Sequence, residues 1–212
     1  MLILSDPKIP DRTKAILHGG PSPVPFIIED CHICAAAGCD VIAVPCNTSH
    51  YFIEEIQRLS PVPVLNMIEL VADELVRTGA SKAFIMATEG TIRSGLYTRV
   101  LEGHGIVSMS PDEDEIANLM EAIYAIKAGE PVVNLDALVA MIERYRTLGC
   151  EKVILGCTEL SLLVEDMTAQ GIPSELFVNS TDVLIKAILK GFSFVRNPQA
   201  MPVVRSLVLP VS

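Results

Sequence analysis

A chain of 212 residues can bury a sizeable core, either as one large domain or as two small ones. Half of its residues are hydrophobic and a fifth are charged, which excludes a disordered chain. The formal net charge of −10 argues against a nucleic-acid partner, because phosphates demand a basic face.

No apolar run reaches the roughly 18 residues that span a bilayer, and no basic-then-apolar leader opens the chain. Neither a membrane partner nor secretion is therefore expected. The six cysteines are not needed as disulfides in a chain this large and apolar. Reduced thiols and a cytoplasmic location follow as the expectation.

In chain order, Met1 to Ser5 reads as a short strand and Asp11 to Leu17 as a brief helix or ordered loop. The breaker cluster His18 to Pro23 is a loop. Phe26 to Ala37 has helical periodicity and Gly38 caps it. The apolar run Val41 to Val44 is a buried strand, and a helix then starts at Ser49 or His50 and reaches about Arg58. Pro61 to Asn66 makes a third short strand, and Ile68 to Arg77 a helix stopped by Gly79. A strand over Ser81 to Ala87 breaks into a helix that includes Tyr97, and a short strand lies near Ile106-Val107. Helices over Asp112 to Ala128 and Leu135 to Leu148 lead to a strand ending at Cys157. Leu160 to Val164 is helical, Phe177-Val178 is the last strand, and Thr181 to Leu189 the last helix. Alternating strands and helices specify a parallel α/β fold. Residues 193–212 hold prolines, valines and leucines without helical period and read as a tail.

One layout recurs. Gly38 stands eight residues before Cys46, and Gly149 stands eight before Cys157; each pair encloses a buried strand and is followed by a threonine. Gly79 stands eight before Ala87, with Thr88 next. The repeat predicts two similar α/β halves that face each other and set two thiols across one cleft. Open α/β sheets bind ligands where a strand ends in such a turn. Cys46, at such a turn and near a helix N-terminus, is placed to favour its thiolate.

Cys31-His32-Ile33-Cys34 has redox or zinc half-site spacing, but no second CxxC or His pair completes a metal set. Cys31 and Cys34 are read as small core residues at i and i+3 on one helix, and Cys39 and Cys150 as structural. His50 is placed with the helix cap in preference to the Cys46 thiol. Glu159 is either a base standing behind the cysteine or a first-turn helix charge.

Two opposed thiols form a two-base device, in which a thiolate takes a proton from one face of a carbon acid and a thiol returns one to the other. The stereocentre inverts without metal or pyridoxal. Asn47, Thr48 and Thr158 offer donors for a carboxylate and for the enolate-like charge of the transition state.

Pro-Cys-Asn-Thr-Ser-His at 45–50 and Gly-Cys-Thr-Glu at 156–159 resemble the paired signatures of the aspartate/glutamate racemase family, nearest to its cofactor-independent aspartate racemases. Pro10 to Thr13, Gly90 to Tyr97 and Asn179 to Thr181 also match, so the likeness runs from about Ser5 to Leu189. The resemblance implies two lobes, each a parallel sheet flanked by helices, with the site in the cleft between them: 1–78 plus 181–192, and 79–180. It implies a homodimer, an acidic amino-acid substrate and no cofactor. Cys46 and Cys157 would be the acid/base pair. Arg12, Asn47, Thr48, Ser49, Thr91, Lys127 and Thr158 would bind substrate, Arg12 and Lys127 through its carboxylates.

Family members open with a further strand and a glycine-rich turn, and Met1 falls where their second strand begins. The expectation is a first lobe short of one strand, with the apolar tail as one candidate cover for the open edge. A racemase is one reading of such a chain; an inactive homologue serving as a binding or assembly protein is the other.

Overall fold

The structure, a computed structural model, describes residues 1–194. Four strands form one parallel sheet in the order β2-β1-β3-β4: β1 (Lys82–Ala87), β2 (Val107–Met109), β3 (Lys152–Gly156) and β4 (Phe177–Asn179). Ala87 pairs with Gly156 and Leu155 with Asn179, so the strands end level with one another. The next residues, Thr88, Cys157 and Ser180, therefore share the carboxyl edge of the sheet, where α/β folds place their ligands.

Helices cover both faces. On one side, α7 (Glu113–Ala128) and α8 (Leu135–Thr147) pack Leu119, Ile123, Leu138 and Ile142 on Phe84, Val153 and Leu155. On the other side, α4 (Met67–Thr78) and α6 (Leu96–Gly103) bring Ile68, Val71, Leu75, Tyr97 and Leu101 onto Ile85 and Ile154, with Val183 of α10 (Ser180–Phe194) beside them. Each such side chain, once buried, contributes roughly 1.5–3 kcal/mol from apolar surface leaving water. Both faces of β1 and β3 are covered, which is why these strands read as unbroken apolar runs.

Between these two strands the packing is close enough to dictate a residue. A Cβ at Gly156 would lie 3.0 Å from Ala87 Cβ and 3.0 Å from Tyr97 Cε2. Only glycine lets Tyr97 reach the strand end.

The amino-terminal part is built differently. Here α1 (Arg12–Leu17), α2 (Val24–Ala36) and α3 (Ile53–Leu59) surround a separate cluster of Val24, Ile27, Cys31, Ile53, Ile56 and Val64. The two strands expected here shrink to one parallel bridge between Ile42 and Val64. Ile42 N–H donates to Pro63 O and Leu65 N–H to Ile42 O, each at 2.9 Å. Pro45, Pro61 and Pro63 have no N–H to extend the ladder. Met1 to Ser5 forms no strand, and Met1 and Ile3 lie exposed, because no neighbouring strand pairs with them. The helix expected from residue 49 is instead a 3₁₀ turn, Asn47–Phe52, which runs into α3. A second 3₁₀ turn, Glu159–Leu163, runs into α9 (Val164–Ala169), and α5 (Glu89–Arg93) follows β1. α10 continues to Phe194, so residues 193 and 194, expected to open the tail, are helical, and the rest of that stretch, 195–212, lies outside the described residues. No helix among the described residues is long and apolar enough to cross a membrane.

Candidate active site

The glycine layout seen in the sequence has a structural cause. Gly38, Gly79 and Gly149 have φ of +86°, +75° and +87°, which only glycine adopts cheaply. Each ends a helix and turns the chain into an extended run whose far end reaches the ligand edge.

Cys46 ends the first run, with extended φ and ψ of −142° and 105°. Its carbonyl accepts from Ser49 N–H at 3.2 Å, and His50 Nδ1 lies 2.9 Å from the same oxygen. Nε2 of His50 faces Leu65 O at 3.4 Å. The imidazole thus braces the turn and does not face the thiol. Burial pulls its pKa down, opposed by the two carbonyl contacts, and the ring is held neutral.

The residues after Cys46 are buried polar groups: Asn47, Thr48, Ser49 and His50. Thr48 Oγ1 lies 2.9 Å from Thr88 Oγ1 and 3.0 Å from Thr91 Oγ1, and Thr88 lies 3.1 Å from Thr91. This triangle of hydroxyls fixes the Cys46 turn to the β1–α5 turn. Asn47 does the same for β3 and β4. Its Nδ2 donates to Ser180 Oγ at 3.0 Å, Ser180 donates to Leu155 O at 2.8 Å, and Tyr97 O–H donates to Asn47 Oδ1 at 2.5 Å. Burial pushes the Tyr97 hydroxyl well above its ordinary range, a contact with Ser180 offsets part of this, and the nearby Cys157 adds to the push.

Cys157 is the first residue past β3 and is buried. Its thiol donates to Glu159 Oε2 at 2.8 Å, and Thr158 Oγ1 donates to the same oxygen at 2.9 Å. Lys127 Nζ stands 3.9 Å from Glu159 Oε1. Burial raises the thiol pKa most, and the carboxylate raises it further; the Lys127 charge only partly opposes them. For Glu159, burial pulls upward, but the bonds from Cys157, its own N–H and Thr158, with the charge of Lys127, bring it below its usual value. The thiolate expected of Cys46 has no counterpart at Cys157. Here the carboxylate is charged and the sulfur keeps its proton.

The remaining expected residues fall around this edge. Arg12 opens α1, with its guanidinium 3.2 Å from Pro10 O and 3.5 Å from Ile9 O. α1 packs on α5 so closely that a Cβ at Gly90 would meet Thr13 Oγ1 at 2.6 Å. Thr91 and Thr158 are tied into the hydroxyl triangle and the Glu159 cluster, Ser49 is buried in the Cys46 turn, and Lys127 is half exposed. Tyr97, Ser180, Thr88 and Glu159 hold the assembly together without having been assigned to the site. Thr88 had a signal, since it follows the third copy of the glycine layout. Tyr97 and Ser180 lay in matched motifs but gave no hint of their partner.

The family model for Asp/Glu/hydantoin racemases matches residues 1–188. This chain belongs to that family. As a member of the Asp/Glu/hydantoin racemase family, it is 31% identical over 155 residues to the broad specificity amino-acid racemase RacX of Bacillus subtilis (strain 168). That match covers 73% of the chain and 66% of RacX, so the chain spans just under two thirds of this curated relative. The aspartate racemase of Picrophilus torridus superposes with a TM-score of 0.77 at 29% identity, covering 89% of this chain and 77% of that one. An aspartate racemase homologue from Pyrococcus horikoshii OT3 gives 0.70 at 29% identity, with 81% and 74% covered. Racemases are isomerases, and this racemase-family chain has their α/β architecture.

Proposed function

We propose that the chain is a cofactor-independent amino-acid racemase that inverts Cα of aspartate or a related acidic amino acid, with Cys46 and Cys157 as the two proton-transfer groups. It would act as a cytoplasmic homodimer with its cleft between an amino-terminal lobe and a lobe centred on the β1–β4 sheet. One observation carries this reading. Asn47, next to Cys46, is hydrogen-bonded to Tyr97, and Tyr97 packs on Gly156, next to Cys157. The two cysteine motifs therefore stand on one buried framework.

The bond from the Cys157 thiol to Glu159 supports one assignment of the two roles. Cys157 holds its proton against Glu159 and is the acid of this form. Cys46, as thiolate, takes the proton from Cα; Cys157 then gives its own to the opposite face, and Glu159, braced by Lys127 and Thr158, stays beside the thiolate that results. The enzyme is left with Cys46 as thiol and Cys157 as thiolate, which is the form suited to the other enantiomer. Donors among Asn47, Ser49, Thr158 and the Thr48–Thr91 cluster would hold the α-carboxylate and amino group. Arg12 and Lys127 would meet the second carboxylate, as their match to the family motif and their position at this edge support. Because mirror-image amino acids have equal free energy, kcat/KM must be equal in both directions, and lesions at either cysteine must slow both alike.

Incubating aspartate of one hand with the protein in D₂O tests this. Loss of the Cα–H signal with inversion, abolished by Cys46→Ala or Cys157→Ala, supports the reading. No exchange on aspartate, glutamate or other amino acids from well-folded protein overturns it and marks the chain as a binding homologue.

A further inference from the structure

The three helices of the repeated glycine layout share one cap and differ in what it brings together. For α2, Gly38 N–H donates to Ala35 O at 2.9 Å and Cys39 N–H to Cys34 O at 3.1 Å. For α4 the bonds are Gly79 to Val76 at 3.0 Å and Ala80 to Leu75 at 3.1 Å; for α8, Gly149 to Arg146 at 2.9 Å and Cys150 to Tyr145 at 3.0 Å. This paired closure sets the residue after the glycine against the one four before it, and the contact is ordinarily apolar. Leu75 with Ala80, and Tyr145 with Cys150, obey that rule and are buried in the two sheet cores. The first copy departs from it. Its pair is Cys34 and Cys39, both half-buried free thiols whose residues are joined by the backbone bond of the cap.

The CxxC spacing pointed to a different pair. Cys31 is 1% exposed within the amino-terminal cluster, and its thiol contacts Ser60. Cys34 is held by its backbone against Cys39 instead. All six cysteines are free in this structure.

We propose that Cys34 and Cys39 form a reversible disulfide across the carboxyl end of α2 when the protein meets a two-electron oxidant of the peroxide class. One thiolate attacks a peroxide oxygen and becomes a sulfenic acid, releasing hydroxide that is protonated to water. The neighbouring sulfur then attacks the sulfenic sulfur, the S–S bond forms, and a second water leaves. Two thiols and one hydrogen peroxide give one disulfide and two waters. The sulfurs lose two electrons and the peroxide oxygens gain them. A dithiol reductant reverses the bond by exchange. The helix cap supplies what such a bond needs, because a direct backbone hydrogen bond already holds the two residues side by side. Burial holds Cys34 above the ordinary thiol range, so the reaction answers to sustained oxidant and not to a trace of it. This proposal stands apart from the racemase reading and does not depend on it.

The test uses the full chain treated with hydrogen peroxide, alkylated, and cleaved on the amino side of aspartates. The fragment Asp30 to Cys39 then carries Cys31, Cys34 and Cys39 and excludes Cys46. The expected product lacks two hydrogens, carries its single alkyl group on Cys31, and returns to three alkylated cysteines after dithiothreitol. Cys31→Ser should keep the bridge and Cys39→Ser should lose it, with melting curves showing both variants folded. Three alkylated cysteines after oxidation, a bridge between Cys31 and Cys34, or links only between copies of the chain would overturn the proposal.

Discussion

Tyr97 and Asn47, separated by fifty positions in the chain, meet at 2.5 Å inside the protein, with the phenol donating to the amide oxygen. Asn47 gives its own N–H to Ser180. The asparagine beside Cys46 is thereby gripped from two elements of the sheet half. Replacing Tyr97 with Phe keeps the ring on Gly156 but leaves Asn47 Oδ1 buried without its donor, at a cost of about 1–3 kcal/mol. The urea midpoint should fall accordingly, and racemase turnover should fall with it because the Cys46 turn loses its brace. An unchanged midpoint and turnover would show that the Tyr97–Asn47 bond contributes nothing to either.

Glu159 adds to burial in making Cys157 hold its proton. In Glu159→Gln the negative charge beside the sulfur is gone while Lys127 remains, so the thiol should ionise more readily. The pH at which Cys157 is half-alkylated by iodoacetamide should drop by at least about one unit. Lys127→Met should move it the other way, since the ammonium favours the thiolate. Peptide mass spectrometry on folded protein reads both shifts. Equal alkylation profiles in all three proteins would rule out control of the sulfur by this cluster.

Gly90 is where α1, with Arg12 at its head, rests on α5. A methyl group there would press on Thr13 Oγ1 at 2.6 Å and Thr13 Cα at 3.0 Å. The backbone contact cannot yield by a rotamer change, so Gly90→Ala should push α1 outward at roughly 1–3 kcal/mol of overpacking. If Arg12 meets the substrate carboxylate, KM should rise about tenfold, equivalent to about 1.4 kcal/mol, with a smaller change in kcat. A drop in stability at constant KM would separate α1 from substrate binding.

His50 gives the stability a slope in acid. Its folded pKa lies below the ordinary histidine value of about 6.5, so below that pH the unfolded chain binds a proton that the folded one refuses. Stability from this group is complete above about pH 6.5 and is lost as the pH falls through that value. The melting temperature should drop more between about pH 7.5 and 5.5 for the native chain than for His50→Asn, which has no such proton to take up. Parallel curves would mean that the buried ring is not the source of the slope.

The chain's own order of residues was enough to announce a parallel α/β protein, because β1 and β3 are covered on both faces and so appear as plain apolar runs. It also announced the three glycine turns, since backbone handedness and helix endings are local matters. The first-lobe strands were over-read for the same reason. Val41 to Val44 and Val62 to Leu65 are apolar enough for strands, but a ladder needs N–H groups that the neighbouring prolines lack and a partner for Met1 to Ser5 that only the assembled sheet could supply.

Charge state and partnership belonged to the tertiary structure alone. Cys157 keeps its proton because the fold buries the sulfur and sets a carboxylate on it. The helix cap, and not the CxxC spacing, set the backbone of Cys39 against that of Cys34. Sequence determined what groups are present and how the backbone bends near them; three-dimensional packing decided which groups lose water and which face each other, and those two things set their chemistry.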